Sequence, residues 1–271
     1  MESGPMTPLT LAPYPPFGPD QYHRNRQYQL PLIAYFRIMK KTFADHVIDF
    51  NTHLQYTGKL PKGIRIMNPF REQPQVMDIM KQFYRRFYGD QHPRQIIMGI
   101  NPGRLGSGST GIPFTDTKRL QSVCGISISG IQTHEPSSVF IYDVIAAYGG
   151  PEQFYHDFYF ASVSPLGFTA VKEDGTEINY NYYDSAELTK AVYPFMVENI
   201  KKQLEFGVDR NVCYCLGTGK NSQFLIKLNE KEGFFKKIVP LEHPRFVMQY
   251  RAKRKQEFID KYLERFEENA H

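Results

Sequence analysis

Three side chains that are far apart along the chain carry functional groups suited to one reaction. Asn101 can hold a water molecule through its amide oxygen, Phe114 can stack on a flat ring, and His243 can donate a hydrogen bond to an anion. The basic segment YRAKRK at 250–255 follows the histidine and can hold phosphates. Together these groups suit hydrolysis of an N-glycosidic bond in DNA, because the base leaves as an anion while the sugar becomes cation-like.

Several common catalytic motifs are missing from the sequence. A Gly-Lys pair lies at 219–220, but Tyr214 and Asn221 occupy positions where a phosphate-binding P-loop needs Gly and Ser or Thr. A Gly-rich dinucleotide fingerprint does not directly follow the first predicted strand, and no serine lies in a Gly-x-Ser-x-Gly nucleophile elbow. Nucleotide hydrolysis, nicotinamide chemistry and serine-hydrolase chemistry are therefore not indicated.

The cysteines and the remaining histidines show no metal-binding pattern. Three cysteines form neither a disulfide framework nor a four-thiolate site, and the two in the apolar run at 211–217 are expected to be buried. These cysteines are Cys124, Cys213 and Cys215. The other histidines lack ligand spacing; they include His92, His134 and His156. We expect no metal and no cofactor.

Four motifs occur in order along the chain: GINPG at 99–103, TGIPF at 110–114, FYHDFYFASVSPLGF at 154–168 and LEHP at 241–244. Their order and spacing resemble the uracil-DNA glycosylase superfamily, and most of all its single-strand-selective monofunctional (SMUG) branch. The first motif is similar to the family's water-holding motif, the second to the segment whose Phe stacks on the extruded uracil, and the last to the second active-site motif. The resemblance extends from about Gln75 to Phe266.

The resemblance implies a role for each matched position. Asn101 and His243 would be catalytic, the first by aiming a water at the anomeric carbon and the second by stabilising the departing base. The base would be held by Ile100, Pro102, Gly103, Phe114 and Ser162. The DNA strand would be contacted by Arg245, Phe246, Arg251, Lys253, Arg254 and Lys255.

Some of these roles have structural alternatives. Gly103 leaves room beside the base or simply supplies turn geometry, and the functional and structural interpretations of Ser162 are evenly balanced. The residue that wedges into the base stack is Phe246, Val247 or Met248. The basic segment either holds the strand or forms a solvated helix face.

The sequence departs from the SMUG pattern at two places. Ser162 stands where relatives carry an Asn that reads the edge of uracil, and the second motif continues as His-Pro-Arg rather than His-Pro-Ser-Pro-Arg. The motif GINPG also occurs in mismatch-specific uracil/thymine glycosylases, but those enzymes carry Asn at the position of His243. The histidine therefore favours the SMUG branch.

The expected activity is that of a monofunctional DNA glycosylase, acting first in base excision repair. It would flip uracil, and also other deaminated bases such as xanthine or hypoxanthine, out of single- or double-stranded DNA and leave an abasic site without lyase cleavage. The alternatives are a catalytically silent nucleic-acid-binding module, a mismatch-specific uracil/thymine glycosylase and an enzyme on free nucleosides. The presence of both Asn101 and His243 argues against a silent site, and the basic segment argues for a polymer.

Apolar runs separated by helical patterns predict the elements that position these residues. Strands are expected at 94–100, 158–163 and 211–217, and a fourth strand with a loop at its end is expected at 236–244. Helices are expected at 75–89, 137–150, 184–207, 218–233 and around 258–266. This alternation predicts a three-layer α/β/α fold with a mostly parallel central sheet and helices on both faces. Loops at 101–114, 162–168 and 243–250 would then converge at the carboxyl ends of the strands.

Details of three helix signals carry further predictions. A Ser cap is expected at Ser137 or Ser138, and a capping box at 184–187. Pro194 should kink or divide the helix at 184–207. The EDGTE sequence at 173–177 predicts a turn.

The net charge and the overall composition are compatible with a DNA-binding enzyme but are not specific to one. The 271 residues carry a formal net charge of +5, a weak indication of a nucleic-acid partner. Six prolines among the first 19 residues predict an extended or disordered leader at 1–24, before a single catalytic domain at 25–271. We expect neither a secretory signal nor a membrane-spanning segment, because the first 20 residues have no basic region followed by a continuous apolar one and no apolar run reaches 18 residues. We expect a cytoplasmic monomer, associated with the nucleoid if bacterial.

Overall fold

The computed structural model describes residues 40–130 and 132–270, in which helices and strands alternate. The strands are β1 (Ile64–Met67), β2 (Arg94–Gly99), β3 (Phe158–Ser162), β4 (Gly167–Val171), β5 (Glu177–Tyr180), β6 (Val208–Leu216) and β7 (Lys237–Leu241). The helices are α1 (Phe43–His53), α2 (Pro69–Glu72), α3 (Pro74–Phe87), α4 (Ser107–Thr110), α5 (Thr117–Ser122), α6 (Pro136–Tyr148), α7 (Pro151–Asp157), α8 (Ala186–Leu204), α9 (Lys220–Glu232), α10 (Pro244–Tyr250) and α11 (Lys255–Glu267), with a 3₁₀ turn at Ala252–Arg254.

Four strands form a parallel sheet in the order β3-β2-β6-β7. Strands β2, β3 and β6 are apolar runs with most residues buried, as expected where helices cover both faces of a parallel sheet. Helix α7 packs against β2 and β3, while α8 and α9 pack against β6. The predicted α/β class is confirmed, and Cys213 and Cys215 are buried in β6 as expected.

A second sheet was not predicted. Strands β1, β4 and β5 form an antiparallel sheet in the order β1-β4-β5. Its outer strands have four residues each and are only partly buried, so their apolar pattern is too weak to read from the sequence. The predicted turn joins β4 to β5, with Gly175 at φ 79° and a hydrogen bond from Gly175 N–H to the Lys172 carbonyl.

Predictions of helix ends and breaks were partly wrong. Helix α6 begins at Pro136 with Glu135 at the N-cap, so neither Ser137 nor Ser138 is the cap. The N-cap of α8 is Ser185, whose hydroxyl accepts from the Leu188 N–H, rather than the first residue of a capping box at 184–187. Helix α8 also continues through Pro194 without being divided.

The segment at 243–250, predicted as a loop, is mostly helical. Helix α10 occupies Pro244–Tyr250, and Pro244 in its first position suits the fixed φ of proline. His243 is its N-cap. The predicted fourth strand ends at Leu241, within the segment 236–244 that was expected to hold the strand and the loop at its end.

At the amino end of the parallel sheet, Arg94 is fully buried at the start of β2. Its guanidinium donates to the Asp90 carboxylate and to three backbone carbonyls, with N···O distances of 2.8 to 3.4 Å. The rings of Phe43 and Tyr88 lie over it, with centroids 4.8 and 4.7 Å from Cζ. These contacts satisfy all five donor hydrogens of the guanidinium.

The chain from Lys41 onward forms one compact unit. The predicted leader at 1–24, and the predicted boundary between residues 24 and 25, lie outside the described residues. None of the described helices combines the length and the apolar character needed to cross a membrane.

Candidate active site

A cavity of about 580 Å³ lies at the carboxyl ends of the parallel strands. The structure brings together there nine residues that the sequence analysis selected: Ile100, Asn101, Pro102, Gly103, Phe114, Ser162, His243, Arg245 and Phe246. They come from three separate parts of the chain, at or after the carboxyl ends of β2, β3 and β7. This convergence is expected for loops that follow parallel strands.

The Asn101 side chain is held by the backbone that follows the small antiparallel sheet. Its Nδ2 donates to the Tyr180 carbonyl at 3.2 Å, and its Oδ1 accepts from the Tyr182 N–H at 3.1 Å. These two bonds fix the orientation of the amide. Because an amide oxygen accepts two hydrogen bonds, Oδ1 keeps one acceptor position.

His243 is neutral and in one tautomer. Its Nδ1 accepts a hydrogen bond from the Arg245 N–H at 3.1 Å, so the ring proton is on Nε2. Burial, and secondarily the charge of Arg245, lowers the pKa of His243 to about 4. The ring therefore offers an uncharged Nε2–H donor at neutral pH.

Phe114 has a strained backbone. It has a φ of 53°, the one positive φ at a residue other than glycine in the described ranges. Its ring lies 5.4 Å from that of Phe160 and 6.1 Å from that of His243, between centroids. A Cβ on Gly99 would lie 3.1 Å from Phe114 Cζ, so the glycine allows the ring to approach the strand. Such strain is concentrated at functional sites.

The sequence left two roles open for Gly103, leaving room beside the base or supplying turn geometry, and the structure argues against the second. Its φ is not in the left-handed region, and a Cβ there would lie 3.7 Å from the Asn179 amide, an ordinary contact. Turn geometry therefore does not require a glycine at this position. Close packing does require one at Gly167, where a Cβ would lie 2.2 Å from the Pro102 carbonyl oxygen.

Ser162 is the last residue of β3 and is paired with Gly99 in the sheet. Its hydroxyl lines the cavity. Within residues 40–130 and 132–270 the hydroxyl has no hydrogen-bond partner, so it is available to a ligand.

The sequence analysis missed two groups of lining residues. Asn179, Asn181 and Tyr183 come from β5 and the segment after it, and the alternation of Asn and Tyr at 179–183 was the available signal. Glu135 and Ser137 come from the start of α6. Because the N-cap of that helix was predicted two or three residues too late, Glu135 was not recognised as a residue of the helix end.

The DNA-contacting candidates fall into two groups. Arg245 and Phe246 line the cavity, and the Arg251 guanidinium lies 5.5 Å from the Phe246 ring centroid. Tyr250, 60% exposed, packs beside Phe246, whereas Val247 is fully buried and is not available as a wedge. Residues after Tyr250, including Arg251, Lys253 and Arg254, line a shallow depression.

Two cations of the basic segment are held by acidic partners. Arg254 makes two hydrogen bonds to the Glu257 carboxylate, at 2.8 and 2.6 Å. Lys255 pairs with Asp143 on α6. These pairs compete with phosphate, so the segment is not a uniformly free basic surface.

Histidines that are distant in sequence meet at the other end of the sheet. His92 and His156 stack with ring centroids 3.9 Å apart, and the Asp157 carboxylate accepts a hydrogen bond from His156 Nδ1 at 2.8 Å. The three side chains offer ligand atoms within 4.8 Å of one another. Sequence spacing did not predict this cluster, because helix α7 and the start of β2 bring it together.

The comparison with family models identifies the class. The model of the uracil DNA glycosylase superfamily matches residues 86–267, and the chain belongs to this superfamily. It is a DNA glycosylase, a hydrolase whose partner is DNA. No curated protein matches the chain.

A solved structure narrows the placement to the SMUG branch. SMUG2 of Pedobacter heparinus, in its wild-type crystal structure, is 58% identical to this chain, with a TM-score of 0.83. The match covers 84% of this chain and 98% of that one. The resemblance that the motifs indicated is confirmed.

Proposed function

We propose that this glycosylase excises uracil and further deaminated bases from DNA by water attack on the anomeric carbon of a flipped nucleotide. The observation that carries the proposal is the joint placement of Asn101, Phe114 and His243 around one cavity. The residues supply three different functions: water positioning, base stacking and stabilisation of the leaving group.

His243 stabilises the negative charge that develops on the departing base. Its Nε2–H, uncharged because the pKa is about 4, is a fixed donor whose hydrogen bond strengthens as the base becomes an anion. The Arg245 N–H bond to Nδ1 keeps the ring in this tautomer. No proton needs to be transferred for the glycosidic bond to break.

Asn101 positions the water. Its amide cannot take the proton of that water at neutral pH, but a base is not required if the glycosidic bond is largely broken before attack. The acceptor position left on Oδ1 orients the water towards the cation-like sugar. Phe114 stacks on the base, a contact of about 1–3 kcal/mol by comparison with other base–aromatic contacts.

The product is an abasic site without strand cleavage. Among the described residues, the cavity lining includes no lysine that could form a Schiff base with the sugar. The remaining roles are extensions of the proposal: Ile100, Pro102, Gly103 and Ser162 hold the base, and Phe246 wedges into the base stack.

The proposal also includes the range of bases, the type of DNA strand and the location of the enzyme in the cell. The hydroxyl of Ser162 rotates, so it suits several deaminated bases, including xanthine and hypoxanthine. The enzyme acts on single or double strands, as a monomer, in the cytoplasm or on the nucleoid. The net charge of +5 and the three unpaired cysteines agree with this setting.

A base-release assay tests the proposal. Purified protein is incubated with oligonucleotides carrying uracil, xanthine or hypoxanthine, single-stranded and opposite each base, and strands are analysed before and after alkali. We expect breaks only after alkali, with uracil among the substrates. Breaks before alkali would indicate lyase activity. Base release only from mismatched duplexes would indicate a mismatch-specific enzyme. If no base is released from any oligonucleotide, the protein is a silent binding module.

A further inference from the structure

Glu135 is the cavity-lining carboxyl group to which the proposed mechanism gives no role. It is the N-cap of α6, but its side chain makes no capping hydrogen bond. The carboxyl group packs against Gly106 so closely that a Cβ there would lie 2.3 Å from Oε2. Oε2 is buried and has no hydrogen-bond partner within the described ranges. Glu135 lines the cavity, so its carboxyl group, one oxygen of which has no partner, keeps hydrogen-bonding capacity that a ligand can use.

Charged groups face Glu135 from two neighbouring elements. Asp116, the N-cap of α5, accepts a hydrogen bond from the Glu135 N–H at 3.0 Å and carries its negative charge close to the Glu135 carboxyl. Asp116 is itself contacted by Arg119 at 3.1 Å and by His134 at 3.6 Å. Arg245, in the first turn of α10, supplies the opposing positive charge.

The protonation state of Glu135 follows from these surroundings. Burial and then the charge of Asp116 raise the pKa of Glu135 to about 7, against the opposing effect of Arg245. Near neutral pH the carboxyl group therefore exists in both forms. Only the neutral form has a hydrogen to donate.

A DNA strand in this cavity favours one of the two forms. Phosphates repel a carboxylate, and the oxygens of phosphates and base carbonyls accept hydrogen bonds but do not donate them. We propose that Glu135 contacts the bound strand as a neutral carboxylic acid, donating its proton to an acceptor oxygen, so that DNA binding takes up one proton. This inference rests on the proposed function only in that the strand enters this cavity.

The sign of the pH effect follows from linkage. Below pH 7 the proton is already present in the free protein, so affinity does not depend on Glu135 ionisation. Above pH 7 the proton must be taken up, and affinity falls by up to about tenfold per pH unit until the pKa of the bound state is passed. Between pH 6 and pH 8 the dissociation constant should rise about tenfold.

Binding to an oligonucleotide with a tetrahydrofuran abasic analogue tests the inference without base release. Fluorescence anisotropy from pH 5.5 to 8.5 should show the tenfold rise for the wild type. Glu135→Gln, which mimics the neutral acid, should keep the tight low-pH affinity throughout. Two controls should retain the wild-type profile: Glu152→Gln removes an exposed carboxylate on α7, and His134→Asn removes the histidine beside Asp116.

A second measurement covers the case in which the glutamine variant does not fold. Calorimetric titration of the wild type at pH 8, in buffers with different ionisation enthalpies, should show uptake of close to one proton. A second oligonucleotide carrying a non-cleavable deoxyuridine analogue distinguishes the acceptors. If the affinity for both oligonucleotides depends on pH, Glu135 contacts a phosphate. If only the affinity for the oligonucleotide that carries the base depends on pH, Glu135 contacts a base carbonyl.

An identical pH profile for wild type and Glu135→Gln, or no proton uptake at pH 8, overturns the inference. Failure of the proposed function has a different signature. The protein would then release no base from any oligonucleotide, whatever the pH dependence of its binding.

Discussion

Two ionisable side chains at opposite ends of the parallel sheet, Arg94 and Glu135, have opposite environments. Arg94, at the amino end, uses all five donor hydrogens and lies against two aromatic rings. Glu135, at the carboxyl end, has a buried oxygen with no partner in the described part of the chain. The first arrangement stabilises the fold, whereas the second leaves bonding capacity for something outside the protein.

Other groups in the cavity share with Glu135 an incomplete or strained environment. The cavity also holds the strained backbone of Phe114, the neutral donor of His243 and the free hydroxyl of Ser162. A cluster of incomplete or strained groups is typical of a binding site, while a saturated buried charge is typical of structure. Substitutions at the two ends should therefore change different properties.

The largest effect on stability is expected at the saturated end. Arg94→Leu removes the donors to three carbonyls and to Asp90, which should lower the free energy of unfolding by about 3–5 kcal/mol. Urea denaturation measures this change. The matched variant Glu135→Gln removes a carboxyl group that has an oxygen without a hydrogen-bond partner, and it should cause no loss. If Arg94→Leu lowers the free energy of unfolding by less than about 1 kcal/mol, the saturated contacts of Arg94 do not stabilise the fold as proposed.

The largest effect on activity is expected at the catalytic pair. Asn101→Ala and His243→Ala should each reduce the single-turnover rate of base release by about 10²-fold or more, because each removes a fixed group that acts in the transition state. Thermal midpoints should change little. Unchanged cleavage by Asn101→Ala removes it from the mechanism. If His243→Ala binds substrate weakly but releases the base at the wild-type rate once saturated, His243 does not stabilise the charge of the departing base.

An intermediate effect is expected in the basic segment, where the chain supplies its own control. The double variant Arg251→Ala, Lys253→Ala should flatten the salt dependence of single-strand binding by up to about 1.4 in log–log slope, near 0.7 per phosphate contact. The variant Arg254→Ala, Lys255→Ala should flatten it less, since acidic partners already hold those cations. Equal slopes for the two variants would mean that the ion pairs open on DNA.

The smallest effect is expected at Ser162. An Asn there offers both an acceptor and a donor in fixed positions that suit uracil, whereas a hydroxyl adapts to several bases. Ser162→Asn should raise the ratio of uracil to hypoxanthine single-turnover rates by about threefold to tenfold. An unchanged ratio would show that this position does not read the base edge.

Sequence analysis found the parallel sheet and the convergence of the motif residues. It could do so because buried strands are continuous apolar runs, and because carboxyl ends of parallel strands share an edge. The N-caps Glu135 and Ser185 were misplaced by one to three residues, since several adjacent polar residues offer equivalent caps.

The remaining features depend on contacts between distant parts of the chain. The antiparallel sheet has short, half-buried strands without a clear period, so its Asn and Tyr residues were not assigned to the site. The orphaned oxygen of Glu135 and the stacked rings of His92 and His156 arise from packing between separate elements. Local sequence has no signal for either.

The two backbone bonds to Asn101 have a consequence for conformational entropy. Because the Tyr180 carbonyl and the Tyr182 N–H fix the amide, its rotational freedom is lost when the chain folds rather than when substrate binds, a saving at binding of about 0.5–1.5 kcal/mol. Both anchors belong to the end of the hairpin formed by β4 and β5. Local opening of that hairpin would release the amide while the parallel sheet stayed folded. The opening equilibrium of the hairpin therefore sets the fraction of molecules ready to position water.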